Sequence, residues 1–222
     1  MNQALTRQFR LLYVCRANEC RSAMAELLLV RAIDAAEGSE GEWSVRSAGV
    51  AARTGRPMQP AAAQILREWG IDSTGFSSRQ LTPDVLDGCD LILTAEREHR
   101  ALVVRLDPAA ADHTFTMRQF ARLLQHSPQP AADDGAAALG ASAASAGRAL
   151  VRRAQASRGQ VATPAQETDD VADPVGGSLK AFRDCAMTIS RSQAVLTLQP
   201  PEVQAAGSRR WWRREPRIPP SP

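Results

Sequence analysis

The chain has 222 residues, 44% hydrophobic and 23% charged, enough for one sizeable core and marginal for two domains. Its net charge of +3 resides wholly between Pro200 and Pro222, where five arginines face two glutamates, and the remaining body carries 22 residues of each sign. Whole-chain charge therefore gives no case for a nucleic-acid partner. No apolar run approaches the roughly 18 residues that cross a bilayer, and "LLYV" is too short for a signal peptide's apolar segment.

In chain order, "FRLLYVC" (Phe9–Cys15) reads as a buried strand and "RSAMAELLLVRAIDAAE" from Arg21 as an amphipathic helix. "WSVRSAGV" is a second strand stopped at Gly49, and "QPAAAQILREWG" a helix with Gly70 as its C′ residue. "CDLILTA" is a third strand, followed by a helix from about Glu96 to Leu106. "HTFTM" and "RQFARLLQH" supply a fourth strand and its helix. Strands alternating with helices predict an α/β protein with a parallel sheet.

From Ser127 to about Thr168 the composition shifts to Ala, Gly, Ser and Pro, which predicts a linker-like insertion with "GRALVRRAQASRG" as a short helix inside it. "GGSLKAFRDCAMTISRSQAVLTL" is a closing helix with Leu179, Phe182, Met187, Ile189 and Val195 as core candidates. The division is a folded unit over 1–199 and a disordered basic tail over 200–222. "RRWWRR" in that tail could touch an anionic surface, but a solvated tail is the simpler reading.

Cys15, Cys20, Cys89 and Cys185 form no CxxC pair and no zinc spacing; in a reducing, cytoplasmic setting they are thiols. Cys15 ends a strand, and Arg21 opens a helix after five intervening residues. Such a loop can turn successive backbone N–H groups inward, beside the positive end of the helix dipole. The result is a cradle for a tetrahedral oxyanion, built by Arg16, Ala17, Asn18, Glu19, Cys20, Arg21 and Ser22. Arg21 can grip two phosphate oxygens through its planar fork. The same field favours a thiolate at Cys15, and Ser22 can donate a hydroxyl hydrogen to it. Asn18 suits a position with an unusual backbone angle. A thiolate behind a cradled phosphate is set for in-line attack, giving a cysteinyl-phosphate that water cleaves. The leaving group needs an acid. Asp173 in "DDVADPVGG" is the candidate, although Asp-Pro also reads as a simple turn.

"VCRANECRSAMAE", "RSAGV", "GIDSTGFSSRQL", "DLILTAEREHRALV" and a late "DP" occur in an order that resembles the low-molecular-weight protein tyrosine phosphatase family. The resemblance implies a four-stranded parallel sheet flanked by helices in a three-layer sandwich, with no metal and no cofactor. It implies Cys15 as nucleophile, Arg21 as phosphate clamp, Asp173 as general acid and later base, and Asn18 and Ser22 as loop supports. It implies a phosphotyrosine protein, or another phosphomonoester, as substrate. Cys20 resembles a second family cysteine that pairs with Cys15 on oxidation; a packed thiol is the other reading.

Several positions depart from the family. Val175 and Gly176 stand where aromatics usually follow Asp-Pro, and Arg53 lies near a second rim aromatic that is missing. Phe76 replaces a histidine that supports the loop asparagine, and Glu19 fills an often apolar loop position. Glu96 is either the acid the family often carries after the third strand or a helix cap. His99, His113 and His126 read as surface groups, and Cys89 and Cys185 as buried thiols. Two other functions compete. An arsenate reductase needs resolving cysteines after the third strand, where Thr94 and Ala95 stand instead. A non-catalytic oxyanion-binding module would not need the full set of Cys15, Arg21 and Asp173.

Overall fold

The computed structural model describes residues 7–35, 41–126, 142–161 and 169–197. Strands β1 (Phe9–Cys15), β2 (Trp43–Gly49), β3 (Leu91–Thr94) and β4 (Thr114–Thr116) form a parallel sheet in the order β2-β1-β3-β4. Helices fill the intervals: α1 (Arg21–Asp34), α2 (Pro60–Glu68), α3 (Pro83–Leu86), α4 (Arg97–Leu106) and α5 (Met117–His126). Two more follow, α6 (Ala143–Ala156) and α7 (Leu179–Gln193).

β1 is buried along nearly its whole length because it lies between β2 and β3 with helices on both faces. Alternation sorts its side chains. Phe9, Leu11, Tyr13 and Cys15 join the larger core under α1, α2, α5 and α7, while Leu12 and Val14 join a smaller one with Ile92 and Val103. The register pairs Cys15 with Gly49 and Val14 with Thr94, so the C-terminal strand ends share one edge. Crossovers leave β1 toward β2 and later return to β3 on its other side. That switch point is where open α/β sheets bind ligands, and the loop after Cys15 lies on it.

The predicted elements are present, with short additions at Pro83–Leu86 and a 3₁₀ turn at Pro108–His113. Gly70 follows the Trp69 cap of α2 at φ +72°, as a C′ glycine should. On α7 the buried apolar residues are Phe182, Cys185, Ala186 and Ile189, an i, i+3, i+4, i+7 stripe. Met187 falls off that stripe and is 39% exposed, which corrects its assignment to the core. Leu179 and Val195 pack only partly.

The insertion is not passive where it is described. α6 starts four residues before Gly147, capped by Ser142, whose Oγ accepts from Ser145 N at 3.2 Å. It buries Ala144, Leu150, Val151 and Ala154 and lays Gly147 against the Phe9 ring, where an added Cβ would come within 2.9 Å. Arg148 Nε donates to Asp90 at 3.2 Å, fastening the helix to the start of β3. The remaining insertion residues and the Pro200–Pro222 tail with "RRWWRR" lie outside the described residues. No described helix is long and apolar enough to cross a membrane.

Candidate active site

The loop from Cys15 to Arg21 closes into a cup because neighbouring backbone holds its carbonyls outward. Val50 N donates to Cys15 O at 2.9 Å, Ala51 N to Arg16 O at 2.8 Å and Gln59 N to Glu19 O at 2.7 Å. Met24 N donates to Cys20 O at 2.8 Å as the first turn of α1. In a trans peptide the N–H points opposite to the C=O. The N–H groups of Arg16, Ala17, Cys20 and Arg21 therefore face inward. Gly49 makes the close approach possible: a Cβ there would be 2.6 Å from Arg16 O and 2.8 Å from Asn18 N.

Asn18 is the one non-glycine residue with positive φ, +56°, among the described residues. Asparagine tolerates this region better than most side chains, and its fully buried amide is satisfied throughout. Nδ2 donates to Ser22 Oγ at 2.9 Å and to Ser47 Oγ at 2.7 Å, while Oδ1 accepts from Arg79 N at 2.8 Å. Phe76 packs half-buried against the core and contributes no polar group. Ser47, Arg79 and Gly49 thus support the loop, roles the sequence reading did not assign. "RSAGV" and "SSRQL" carried the signal, since a strand ending beside Cys15 must touch the loop.

Cys15 Sγ lies 3.0 Å from Ser22 Oγ, and the thiol is buried at the floor of the cup. Arg21 is 2% exposed. Its Nη1 donates to Glu96 Oε1 and, at 3.0 Å, to Val171 O; its Nη2 donates to Asp173 Oδ2 at 2.9 Å. Burial alone would lower the Arg21 pKa, but the hydrogen bond to Glu96 and the charge of Asp173 outweigh it, and the net shift is upward. Glu96 makes no capping bond from its side chain. Asp170 does that work, its Oδ1 accepting from Arg97 N at 2.8 Å, so Glu96 is Arg21's partner rather than a cap.

Three aspartates precede Pro174, and their surroundings separate them. Asp169 is buried and paired with Arg122 at 2.8 Å. Asp170 caps α4. Asp173 faces the cup with its side chain 43% exposed, and its Oδ1 accepts from Val175 N at 3.2 Å. Val175 is 53% exposed.

The thiols and histidines divide less simply than expected. Cys20 is buried at the N-cap of α1, with its pKa raised by burial and then by the nearby Cys185. Burial likewise pushes Cys185 up to about 12. Cys89 is half-buried before β3, at the opposite end of the strands from Cys15, with its pKa pushed up to about 11 by burial. The reading of His99 as a surface group is corrected: it is 3% exposed. Its Nε2 lies 3.9 Å from Glu96, its Nδ1 has no hydrogen-bond partner among the described residues, and burial lowers its pKa. His113 is half-buried and His126 is exposed.

A strand–loop–helix cup with a buried thiol on its floor, an arginine on its wall and an aspartate at its mouth defines a cysteine-dependent phosphatase. The chain belongs to the family described as low molecular weight phosphotyrosine protein phosphatase, whose model matches residues 10–134. A protein-arginine-phosphatase of Geobacillus stearothermophilus is 38% identical over 112 residues, half of this chain and 71% of that one. The low molecular weight protein-tyrosine-phosphatase Etp of Escherichia coli K12 is 32% identical over 110 residues, 50% of this chain and 70% of that one. Among solved structures, a low molecular weight protein tyrosine phosphatase of T. tengcongensis superposes with a TM-score of 0.57 at 26% identity. That alignment covers 83% of this chain and 95% of the other. The YwlE arginine phosphatase of Geobacillus stearothermophilus gives 0.59 at 25% identity, covering 89% and 94%. The family match ends before Asp173, so that residue rests on the structure and the Asp-Pro resemblance.

Proposed function

We propose that this phosphatase acts on phosphorylated side chains of proteins, with Cys15 as nucleophile, Arg21 as clamp and Asp173 as general acid. The observation that carries the reading is Cys15 Sγ at 3.0 Å from Ser22 Oγ, on the floor of a cup whose wall holds Arg21. The Cys15 thiolate attacks phosphorus, the S–P bond forming as the bond to the leaving group breaks. Inward N–H groups and Arg21 take up the charge on the equatorial oxygens. Asp173 delivers a proton to the leaving atom and then accepts one from the water that cleaves the cysteinyl-phosphate. Cys20 is the thiol available to pair with Cys15 after oxidation. Four unpaired cysteines support a reducing, cytoplasmic setting.

Phosphotyrosine is the first substrate reading, from the family. Phosphoarginine is the second, and specific features favour it: Val175 and Gly176 give a tyrosyl ring no aromatic wall, and a carboxylate at Glu19 complements a guanidinium. The protein-arginine-phosphatase relative points the same way. Cys89, remote from the cup, argues against a reductase using it as resolving thiol.

The test is hydrolysis of an aryl phosphate by the purified chain, followed by phosphate release from matched phosphotyrosine and phosphoarginine peptides. Cys15→Ser should abolish all three. Activity that survives in Cys15→Ser rejects the nucleophile; preference between the peptides decides the substrate.

A further inference from the structure

The insertion brings two arginines together at a distance from the cup. Arg158 lies just past the Ser157 cap of α6, and Arg100 lies on α4. Arg100 Nε donates to Thr114 O at 2.9 Å and its Nη2 to Ala111 O at 3.4 Å. Arg158 Nη2 donates to the same Thr114 O at 2.7 Å and its Nη1 to the same Ala111 O at 3.1 Å. Sharing both acceptors sets the two guanidiniums side by side.

The charge of this pair is not matched by the protein around it. The acceptors are neutral carbonyls, and neither guanidinium has a carboxylate ion-pair partner among the described residues. Burial lowers the pKa of both arginines, and the charge of Arg100 lowers that of Arg158 further. Asp112, exposed on the 3₁₀ turn, opposes this through its charge without bonding to either. His113 ends the same turn and is kept neutral at pH 7 by burial. Other contacts hold the pair in place. The buried Phe115 ring lies 3.9 Å from Arg158 Cζ, a cation–π contact. Gln155 Nε2 donates to Asp112 O at 3.2 Å, tying the end of α6 to the turn. Each guanidinium spends two of its five N–H groups on the carbonyls and keeps three. Both residues are half-buried, so solvent reaches them.

We propose that Arg100 and Arg158 form a second oxyanion site, outside the cup, for a tetrahedral dianion of the phosphate class. Two adjacent planar forks offer the paired, charge-assisted donors that such a group accepts. A dianion matches both charges, whereas one carboxylate would leave a charge over. The site stands at the start of β4, where Thr114 pairs with Ile92, while the cup opens beyond the other end of the strands. Arg158 lies past residue 134, where the family match ends, so the site depends on this chain's insertion.

The experiment measures phosphate binding by equilibrium dialysis, with Tm in parallel, for the wild type, Arg158→Gln and Arg100→Gln. Wild type should bind a second phosphate beyond the one in the cup, and each variant should lose it while keeping kcat and the competitive inhibition by phosphate. With phosphate about tenfold above the Kd of this site, the rise in wild-type Tm should exceed that of either variant by about 3–6 °C. Without phosphate the variants should be no less stable, because a like-charge contact is relieved. Should a glutamine variant not fold, Arg158→Lys keeps the charge and loses the fork, and its second phosphate should bind more weakly. A phosphoserine peptide, tested on Cys15→Ser protein with and without Arg158→Gln, separates a free anion from a phosphoryl group carried by a protein. Binding of either probe that Arg158→Gln removes supports the site. Equal binding of both probes in all variants, or a fall in Tm that is the same with and without phosphate, would overturn it and leave the arginines as ties to the 3₁₀ turn.

Discussion

Arg21 and Asp173 are 152 positions apart in sequence and joined at 2.9 Å, Nη2 to Oδ2. One guanidinium therefore ties the first turn of α1 to the loop before α7. With Glu96 and Val171 O on Nη1, three of its five N–H groups are engaged. Nε–H and the second Nη2–H take no acceptor among the described residues. The clamp is held by two carboxylates and a carbonyl and keeps two N–H groups for a ligand.

That arrangement predicts the outcome at Arg21. Lysine keeps the charge but has one point donor group in place of a planar fork. It cannot bond Glu96, Val171 and Asp173 and also grip phosphate. Arg21→Lys should lower kcat by about 10²–10³, the scale for losing an aligned transition-state donor. Steady-state kinetics on an aryl phosphate measures it. Turnover within a few-fold of wild type would mean the guanidinium is structural.

His99 gives a pH prediction. Its pKa is lowered by burial, so the unfolded chain binds its proton at a higher pH than the folded one. Stability from this group is full above the unfolded value of ~6.5 and is lost as pH falls below it toward the lowered folded value. His113 acts in the same direction and Glu26, with a raised pKa, in the opposite one. The comparison is therefore between wild type and His99→Phe. The Tm difference between them should shift in the variant's favour from pH 7 to pH 5. A constant difference would show that His99 titrates alike in both states.

The catalytic loop was legible because its signals are local: a strand end, an Asn at a positive-φ position, an arginine at a helix start. The roles of Ser47 and Arg79 were not, because each acts through a partner brought near by sheet register or helix packing, and spacing alone does not give register. Glu96 was ambiguous for the same reason. A cap and an ion-pair partner look identical until the arginine 75 positions away is placed beside it. α6 was half legible: its period was visible, but nothing in an Ala-rich stretch says that Phe9 lies under Gly147.

The contact at Gly147 predicts a stability effect without a catalytic one. A side chain there meets the Phe9 ring at 2.9 Å, and overpacking of this kind typically costs about 1–3 kcal/mol. Gly147→Val should lower Tm by several degrees and leave kcat/KM on small substrates unchanged, since α6 lies against the Phe9 end of β1, far from Cys15. Thermal unfolding followed by circular dichroism tests it. An unchanged Tm would mean that α6 contributes nothing to the folded unit.

Asp173 carries the most discriminating prediction, because its neighbours are accounted for. Asp169 is locked to Arg122 and Asp170 to the start of α4, so neither can move to the cup without breaking a bond that holds the fold. A nitrophenolate leaves readily as an anion and needs little protonation; a tyrosyl phenolate needs more. Asp173→Ala should therefore slow phosphotyrosine cleavage more than nitrophenyl phosphate cleavage, with general acid assistance typically worth about 10²–10⁴-fold. Asp173→Asn should follow it, since an amide keeps the shape and can still accept from Arg21, but has no proton to deliver. Comparing the two also separates chemistry from architecture. Losing the Arg21 contact affects Asp173→Ala alone and should slow every leaving group equally, whereas losing the acid affects both variants and steepens the dependence of rate on leaving-group pKa. Equal slowing across a series of aryl phosphates in both variants would remove Asp173 from the proton transfer and leave it only as the carboxylate that holds the clamp.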